Sequence, residues 1–330
     1  MTSLSPEAAL TEPALRVGAA ACGLGIALPD RAVSNEEVTA QLGVDGAWVE
    51  RRTGIRSRRW AAPGDQLHEL AAAAGGRALA DAEVTASEVD LILVATVSAD
   101  ELTPACAPLV AACLGADRAG AIDVGAACSG FVSAVGLGAS MIEAGRVARV
   151  LVIGAEMLSR HVDPTDRQSA ALFGDGAGAI MLEASAGAKI GPVVMGADGS
   201  LGHLISAPRD TGNLRMDGHA VFVEAVKHMS AATLQACAAA DVEFADIDLF
   251  VFHQANQRIL SSLSERLGLP TERVVAAIAD VGNTSAASVP IALCQARDAG
   301  QLQQDSRVLL AAFGAGLTWA ATVVSWGRDG

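Results

Sequence analysis

Residues 123–135 read DVGAACSGFVSAV, an apolar strand end that breaks at Gly125 into a run of small residues around Cys128. The tripeptide Asp123-Val124-Gly125 returns as Asp280-Val281-Gly282, and Asp90-Leu91-Ile92-Leu93-Val94 returns as Asp248-Leu249-Phe250-Val251-Phe252. The echoes lie 157 residues downstream in the first case (280 against 123) and 158 in the second (248 against 90). After each DVG come small residues, a helical stretch closing on Ala-Gly (144–145 and 299–300), and an apolar strand ending in glycine, Gly154 or Gly314. An ordered series of landmarks at one offset reads as two duplicated halves. Strand-like runs VDLILVATV (89–97), GAIDVG (120–125) and VARVLVIGA (147–155) alternate with helical stretches. That alternation predicts parallel strands joined by crossover helices.

The duplication sets Cys128 and Asn283-Thr284-Ser285 at equivalent turns, each between a buried strand and the next helix. His253 ends the strand DLFVFHQAN, and its first-half counterpart lies near Ala95. If the halves pack about a pseudo-twofold axis, these polar groups converge from strand ends, the usual place for a site in an α/β protein. At a strand-to-helix turn, free N–H groups and the positive end of the helix dipole favour a thiolate, which makes Cys128 a candidate nucleophile. On position alone an inert packed thiol stands equal to that reading. Alone, His253 reads as structural and Asn283 as a turn residue. Together, at repeat-related positions, the three point to chemistry.

Composition removes several function classes. With 330 residues, 51% hydrophobic and 18% charged, the chain can bury a large core and is not disordered. No apolar run approaches the roughly 20 residues of a membrane span, and the N-terminus lacks the pattern of a secretory signal. The six cysteines form no CxxC pair and no zinc-like spacing with histidine, which predicts a reduced, cytoplasmic protein without a metal. A net charge of −14 argues against nucleic acid as partner. One stretch opposes that sign: Glu50–Trp60, ERRTGIRSRRW, carries five arginines against one glutamate and is a candidate anion site. The series FGDGAGAIM is not a dinucleotide loop, because it precedes an apolar strand instead of opening a helix, and Asp175 within it reads as structural.

The segments WVERRTGI (48–55), AACSGF (126–131), DPTDR (163–167), FGDGAGA (173–179), HQAN (253–256), GNTSAASVP (282–290) and FGAGLTW (313–319) make the chain similar to the β-ketoacyl-acyl-carrier-protein synthase III family of the thiolase superfamily. The likeness begins after about the first 16 residues. It implies an α/β, thiolase-like five-layered αβαβα fold of two duplicated halves, with a flexible tail at 1–16, an N-terminal half at 17–185 and a C-terminal half at 186–330. It also implies a homodimer. By the resemblance, Cys128 takes an acyl group from acyl-CoA, and backbone N–H groups of Cys128 and Gly316 form the oxyanion hole. His253 and Asn283 stabilise the enolate left when a malonyl thioester on acyl carrier protein loses carbon dioxide. No cofactor beyond the CoA thioester substrate is implied. Trp48, Arg52, Arg167 and Asn256 are expected to bind CoA, and Arg258 to dock the acidic carrier protein. Arg51, Arg56, Arg58 and Arg59 keep a surface reading.

Two positions depart from the family. His219 stands where the fatty-acid enzymes usually carry an asparagine that helps hold the pantetheine arm. The gate that reaches the partner's acyl pocket is a phenylalanine in many bacterial members and falls near Thr103 here, which predicts a larger pocket, a starter other than acetyl, and a role in priming a polyketide. A second reading keeps the acyl-cysteine but passes the acyl group to a hydroxyl or amine, and a third makes the chain a catalytically silent binding subunit. The retained Asn283 favours condensation over simple transfer, which has no enolate to stabilise.

Overall fold

The computed structural model describes residues 17–328. The expected tail, 1–16, lies outside the described residues. In the first half the strands are β1 (Gly18–Ala27), β2 (Ala32–Ser34), β3 (Ser57–Arg59), β4 (Leu91–Ala95), β5 (Gly120–Val124), β6 (Arg149–Met157) and β7 (Asp175–Ser185). Its helices are α1 (Asn35–Thr39), α2 (Gly46–Thr53), α3 (Leu67–Asp81), α4 (Cys106–Leu114) and α5 (Gly130–Glu143). The second half holds β8 (Val194–Ala197), β9 (Ile205–Ser206), β10 (Arg215–Met216), β11 (Leu249–Phe252), β12 (Arg307–Gly314) and β13 (Thr318–Ser325), with α6 (Gly218–Ala239), α7 (Gln257–Leu267) and α8 (Ser288–Asp298).

The first sheet has the order β1-β7-β6-β4-β5, and the second, read from its far edge, runs β8-β13-β12-β11. The polarities repeat as well. In each sheet the first two pairings are antiparallel and the next is parallel. The place of β5 beside β4 is taken in the second half by a single parallel bridge, Phe250 to Val274. The sheets are therefore mixed, where the sequence pattern predicts parallel strands alone. The connection from β6 to β7 carries no crossover helix, and without one consecutive strands pair antiparallel.

Fine geometry follows the same 158-residue offset. Glu83 and Asp241 adopt φ of 54° and 53°, and Ala127 and Ser285 adopt 45° and 49°. Asp90 accepts the Arg149 N–H at 2.9 Å where β6 starts, and Asp248 accepts the Arg307 N–H at 2.8 Å where β12 starts. Left-handed backbone at a residue with a Cβ is uncommon, so its recurrence marks repeated architecture.

Five layers result, αβαβα, as expected. Helices α3 and α4 cover the outer face of the first sheet through an alanine-rich core around Ala71, Ala74, Ala78, Ile92 and Ile153. Helices α5 and α8 fill the space between the sheets, and α6 with α7 covers the second sheet. Small residues let the central layer fit. Strand β7 begins inside the glycine series itself, at Asp175, because that series has to pass close beneath α8: a Cβ on Gly178 would sit 2.8 Å from Pro290. Asp175 is fully buried and accepts from Ser159 N–H at 2.8 Å, Ser159 Oγ at 2.5 Å and Ala61 N–H at 2.8 Å, a structural role.

Candidate active site

Strand β5 breaks at Gly125, and the short 3-10 turn Ala127–Ser129 leads into α5. This turn reaches across the molecule to the end of β12, where a Cβ on Gly314 would lie 2.6 Å from the Cys128 nitrogen. The equivalent turn, Ser285–Ala287, reaches back to β6, where a Cβ on Gly154 would lie 2.3 Å from the Ala286 carbonyl oxygen. Each half thus lends its turn to the other's sheet, and the two turns meet. Glycine at 314 and 154 is what permits the approach.

Cys128, His253 and Asn283 line one cavity of about 910 Å³. His253 follows β11, is buried, and its N–H donates to the Ala311 carbonyl at 2.8 Å. Its Nδ1 lies 2.6 Å from Ser288 Oγ at the start of α8. With Ser288 donating to Nδ1, the imidazole proton belongs on Nε2. Burial pushes the ring down to about 3, so it is neutral at physiological pH. Asn283 is held through its backbone, with N–H to the Leu172 carbonyl at 2.9 Å and its own carbonyl accepting from Gly174 N–H at 3.0 Å. Its Oδ1 accepts the Ser285 N–H at 2.9 Å, which leaves the amide NH₂ as the free end of the side chain.

Cys128 retains exposure only as part of the cavity wall, and burial pushes its thiol up to about 12. The hydrogen bond with Ser285 acts the other way but does not prevail. Against the thiolate expected at a helix N-terminus, desolvation acts in the opposite direction and favours the neutral thiol. None of the other five cysteines lines the cavity.

The cavity wall also contains Trp48, Arg52, Arg167, Asn256, Arg258 and His219. Asp45 caps α2 by accepting the Trp48 N–H at 2.7 Å, and the Arg52 guanidinium stacks 5.5 Å over the Trp48 ring. Asn256 caps α7 through the Arg258 N–H at 2.9 Å. Arg258, exposed and 6.0 Å over the Phe222 ring, belongs to this same wall. Gly316 lies in the turn between β12 and β13, one residue beyond the lining residue Ala315, with φ of 140°. Thr103 is exposed and does not line the cavity of its own chain.

The surface reading of Arg58 is overturned. It is fully buried and donates to the Val33 carbonyl at 3.3 Å, Asn35 Oδ1 at 2.9 Å and the Ala171 carbonyl at 2.8 Å. Desolvation brings its guanidinium down to about 10. Arg56, by contrast, pairs with Asp280 at 2.7 Å on the surface. The sequence alone does not single out Ser288 behind His253 or the buried Glu156, and it places Ser285 at its turn without a role. The available signal was one carboxylate in an otherwise apolar strand, VLVIGAEM. Among the described residues no helix is long and apolar enough to cross a membrane, and no cluster of three metal-ligating side chains occurs.

Residues 122–199 match the family model for 3-oxoacyl-[acyl-carrier-protein (ACP)] synthase III, and residues 237–326 match that for the C-terminal part of the same enzymes. The chain is 46% identical over 314 residues to β-ketoacyl-[acyl-carrier-protein] synthase III 2 of Streptomyces coelicolor, with 94% of each chain covered. Among solved structures it resembles 3-oxoacyl-[acyl-carrier-protein] synthase III of Aquifex aeolicus, with a TM-score of 0.90 and 38% identity over 94% of this chain and 100% of that one. It also resembles the priming β-ketosynthase of the R1128 polyketide biosynthetic pathway, with a TM-score of 0.91 and 37% identity over 98% and 100%. A family signature in both halves, laid on a duplicated five-layer frame, places the chain in the 3-oxoacyl-[acyl-carrier-protein] synthase III family, as an acyltransferase of the ketosynthase III type.

Proposed function

We propose that Cys128 carries an acyl group from acyl-CoA to a malonyl thioester on acyl carrier protein, priming polyketide or fatty-acid synthesis. The observation that carries this reading is the meeting of Cys128, His253 and Asn283, from both halves, in one cavity. In the first step the Cys128 sulfur attacks the thioester carbonyl, the bond to the CoA sulfur breaks, and the thiol proton leaves with CoA. The Cys128 and Gly316 N–H groups are assigned to the carbonyl oxygen. In the second step the malonyl carboxylate departs as carbon dioxide and its electron pair becomes an enolate. Neutral His253 and the Asn283 NH₂ donate to the enolate oxygen without surrendering a proton. The carbon then attacks the acyl carbonyl, and the released Cys128 thiolate takes up a proton. No metal or redox cofactor enters this scheme.

Trp48, Arg52, Arg167 and Asn256 are placed on the nucleotide and pantetheine of CoA, since a guanidinium both stacks and pairs with phosphate. His219, at the start of α6, is assigned to the pantetheine arm, and Arg258 to carrier-protein docking. A homodimer is supported by β5, an edge strand that carries exposed Ile122, together with exposed Val97 and Leu102 after β4, because open edges of this kind are normally covered. Thr103 on the same side would then face the partner's acyl pocket, and its small side chain favours a starter larger than acetyl. We place the enzyme in the cytoplasm, with its thioester substrates. Acylation of Cys128 by a panel of acyl-CoAs, followed by malonyl-carrier protein, tests the reading. Acylation without carbon dioxide release indicates transfer to a hydroxyl or amine, and a clear acetyl preference contradicts the larger starter.

A further inference from the structure

Glu156, on β6, is fully buried and does not line the cavity. Its Oε2 accepts from Ser98 Oγ at 2.5 Å, Thr96 Oγ1 at 3.2 Å and Val97 N–H at 3.2 Å, and its Oε1 accepts from Ser285 Oγ at 3.0 Å. Every contact is a hydrogen bond from a neutral donor, and among the described residues no cation pairs with it. Burial pushes the carboxyl up to about 7. A buried acid without a cation is costly to ionise, so its place here calls for a reason beyond packing.

The donors come from two walls of the cavity. The 96–98 turn, in the first half, contributes Val97 to the lining, and Ser285, in the second half, contributes its own side chain. Ser285 holds φ of 49°, a conformation that a residue with a Cβ adopts only when its surroundings fix it. Among the bonds that fix it are its hydroxyl to Glu156 and its N–H to Asn283 Oδ1. The second bond orients the Asn283 carboxamide. We propose that Glu156 is a positioning residue for the condensation step: by holding Ser285 it aims the Asn283 NH₂ at the enolate and sets the distance from that donor to the wall at Val97. This rests on the condensing reading above.

The test uses the full chain with Glu156→Gln, Ser285→Gly and the double variant. Glycine accepts the positive φ and keeps the N–H to Asn283, so Ser285→Gly removes the hydroxyl's bonds to Glu156 and to Cys128 while leaving the Asn283 contact in place. Acylation of Cys128 is read by mass spectrometry, carbon dioxide release from malonyl-carrier protein separately, and Tm at pH 8. Each single variant is expected to lower carbon dioxide release on the order of 10²-fold, the scale of a misplaced donor. In Glu156→Gln acylation stays within about threefold, because that step does not use the Asn283 donor. Tm at pH 8 does not fall in Glu156→Gln, since the substitution removes a buried charge. The double variant matches the worse single. Equal losses in both steps with a lowered Tm, multiplied losses in the double variant, or unaffected release in active protein each overturn the inference alone. A wild-type chain that neither acylates nor releases carbon dioxide overturns the proposed function and this inference with it.

Discussion

A thiol pushed up to about 12 and an imidazole pushed down to about 3 share one cavity, and both shifts come first from burial. Alkylation of Cys128 by iodoacetamide in the free enzyme should rise about tenfold per pH unit from pH 7 to 9, following the small thiolate fraction; a plateau by pH 8 contradicts the neutral resting thiol. His253 gives a stability prediction whose sign is fixed. Its folded value, about 3, lies below the ordinary 6.5, so the unfolded chain binds the extra proton between them and stability from this group is lost as pH falls through that window. Glu156 works in the opposite sense, because its folded value, about 7, lies above the ordinary 4.5. Relative to wild type, His253→Gln should therefore gain stability as pH falls from 6.5 toward 4.5, by up to ~1.4 kcal/mol per unit, measured by denaturant unfolding; a difference flat in pH contradicts the buried neutral imidazole. At this scale the sequence made Cys128, His253 and Asn283 legible because the repeat aligned them. Ser288 and Glu156 were not legible, since what a side chain touches across the two halves depends on packing that no local pattern encodes.

Helix α2 builds part of the cationic rim of the cavity through Trp48 and Arg52. Asp45 starts α2, left-handed Gly54 ends it, and Val49 and Thr53 face inward, which turns Trp48 toward the cavity. Trp48→Ala should raise KM for acyl-CoA about tenfold with kcat little changed, the signature of lost stacking on a base; an unchanged KM would remove Trp48 from the nucleotide site. In the three-residue strand β3 the middle residue points inward, so Arg58 is buried while Ser57 and Arg59 are not. A run of arginines reads as a solvated face until that alternation is known, which is why Arg58 was misread. Its bond to the Ala171 carbonyl anchors the segment whose Leu172 and Gly174 hold the Asn283 backbone. Arg58→Ala should cost about 3 kcal/mol in denaturant unfolding, through three unmet acceptors and a cavity; a loss below about 1 kcal/mol contradicts this anchoring role.

Across the whole molecule, the duplication does the most to explain where the site lies. Two half-sheets of one topology, each sending a turn into the other, necessarily bring a first-half residue, Cys128, against second-half residues, His253 and Asn283. The repeat was readable because landmarks such as Asp90 and Asp248 perform the same hydrogen bond at the same offset. The mixed polarity was not, because strand direction depends on connections that periodicity does not reveal. The exposed β5 edge makes a further prediction: light scattering should give twice the 33.4 kDa chain mass, and Ile122→Asp, which puts a charge on that edge, should yield monomer. A monomeric wild type contradicts the homodimer. The central claim is tested most directly by loading Cys128 from acyl-CoA, adding malonyl-carrier protein, and measuring carbon dioxide release together with loss of the acyl group from the peptide containing Cys128. Equimolar release and deacylation, both absent in Cys128→Ala, is the predicted result; a loaded Cys128 that loses its acyl group without carbon dioxide would contradict it.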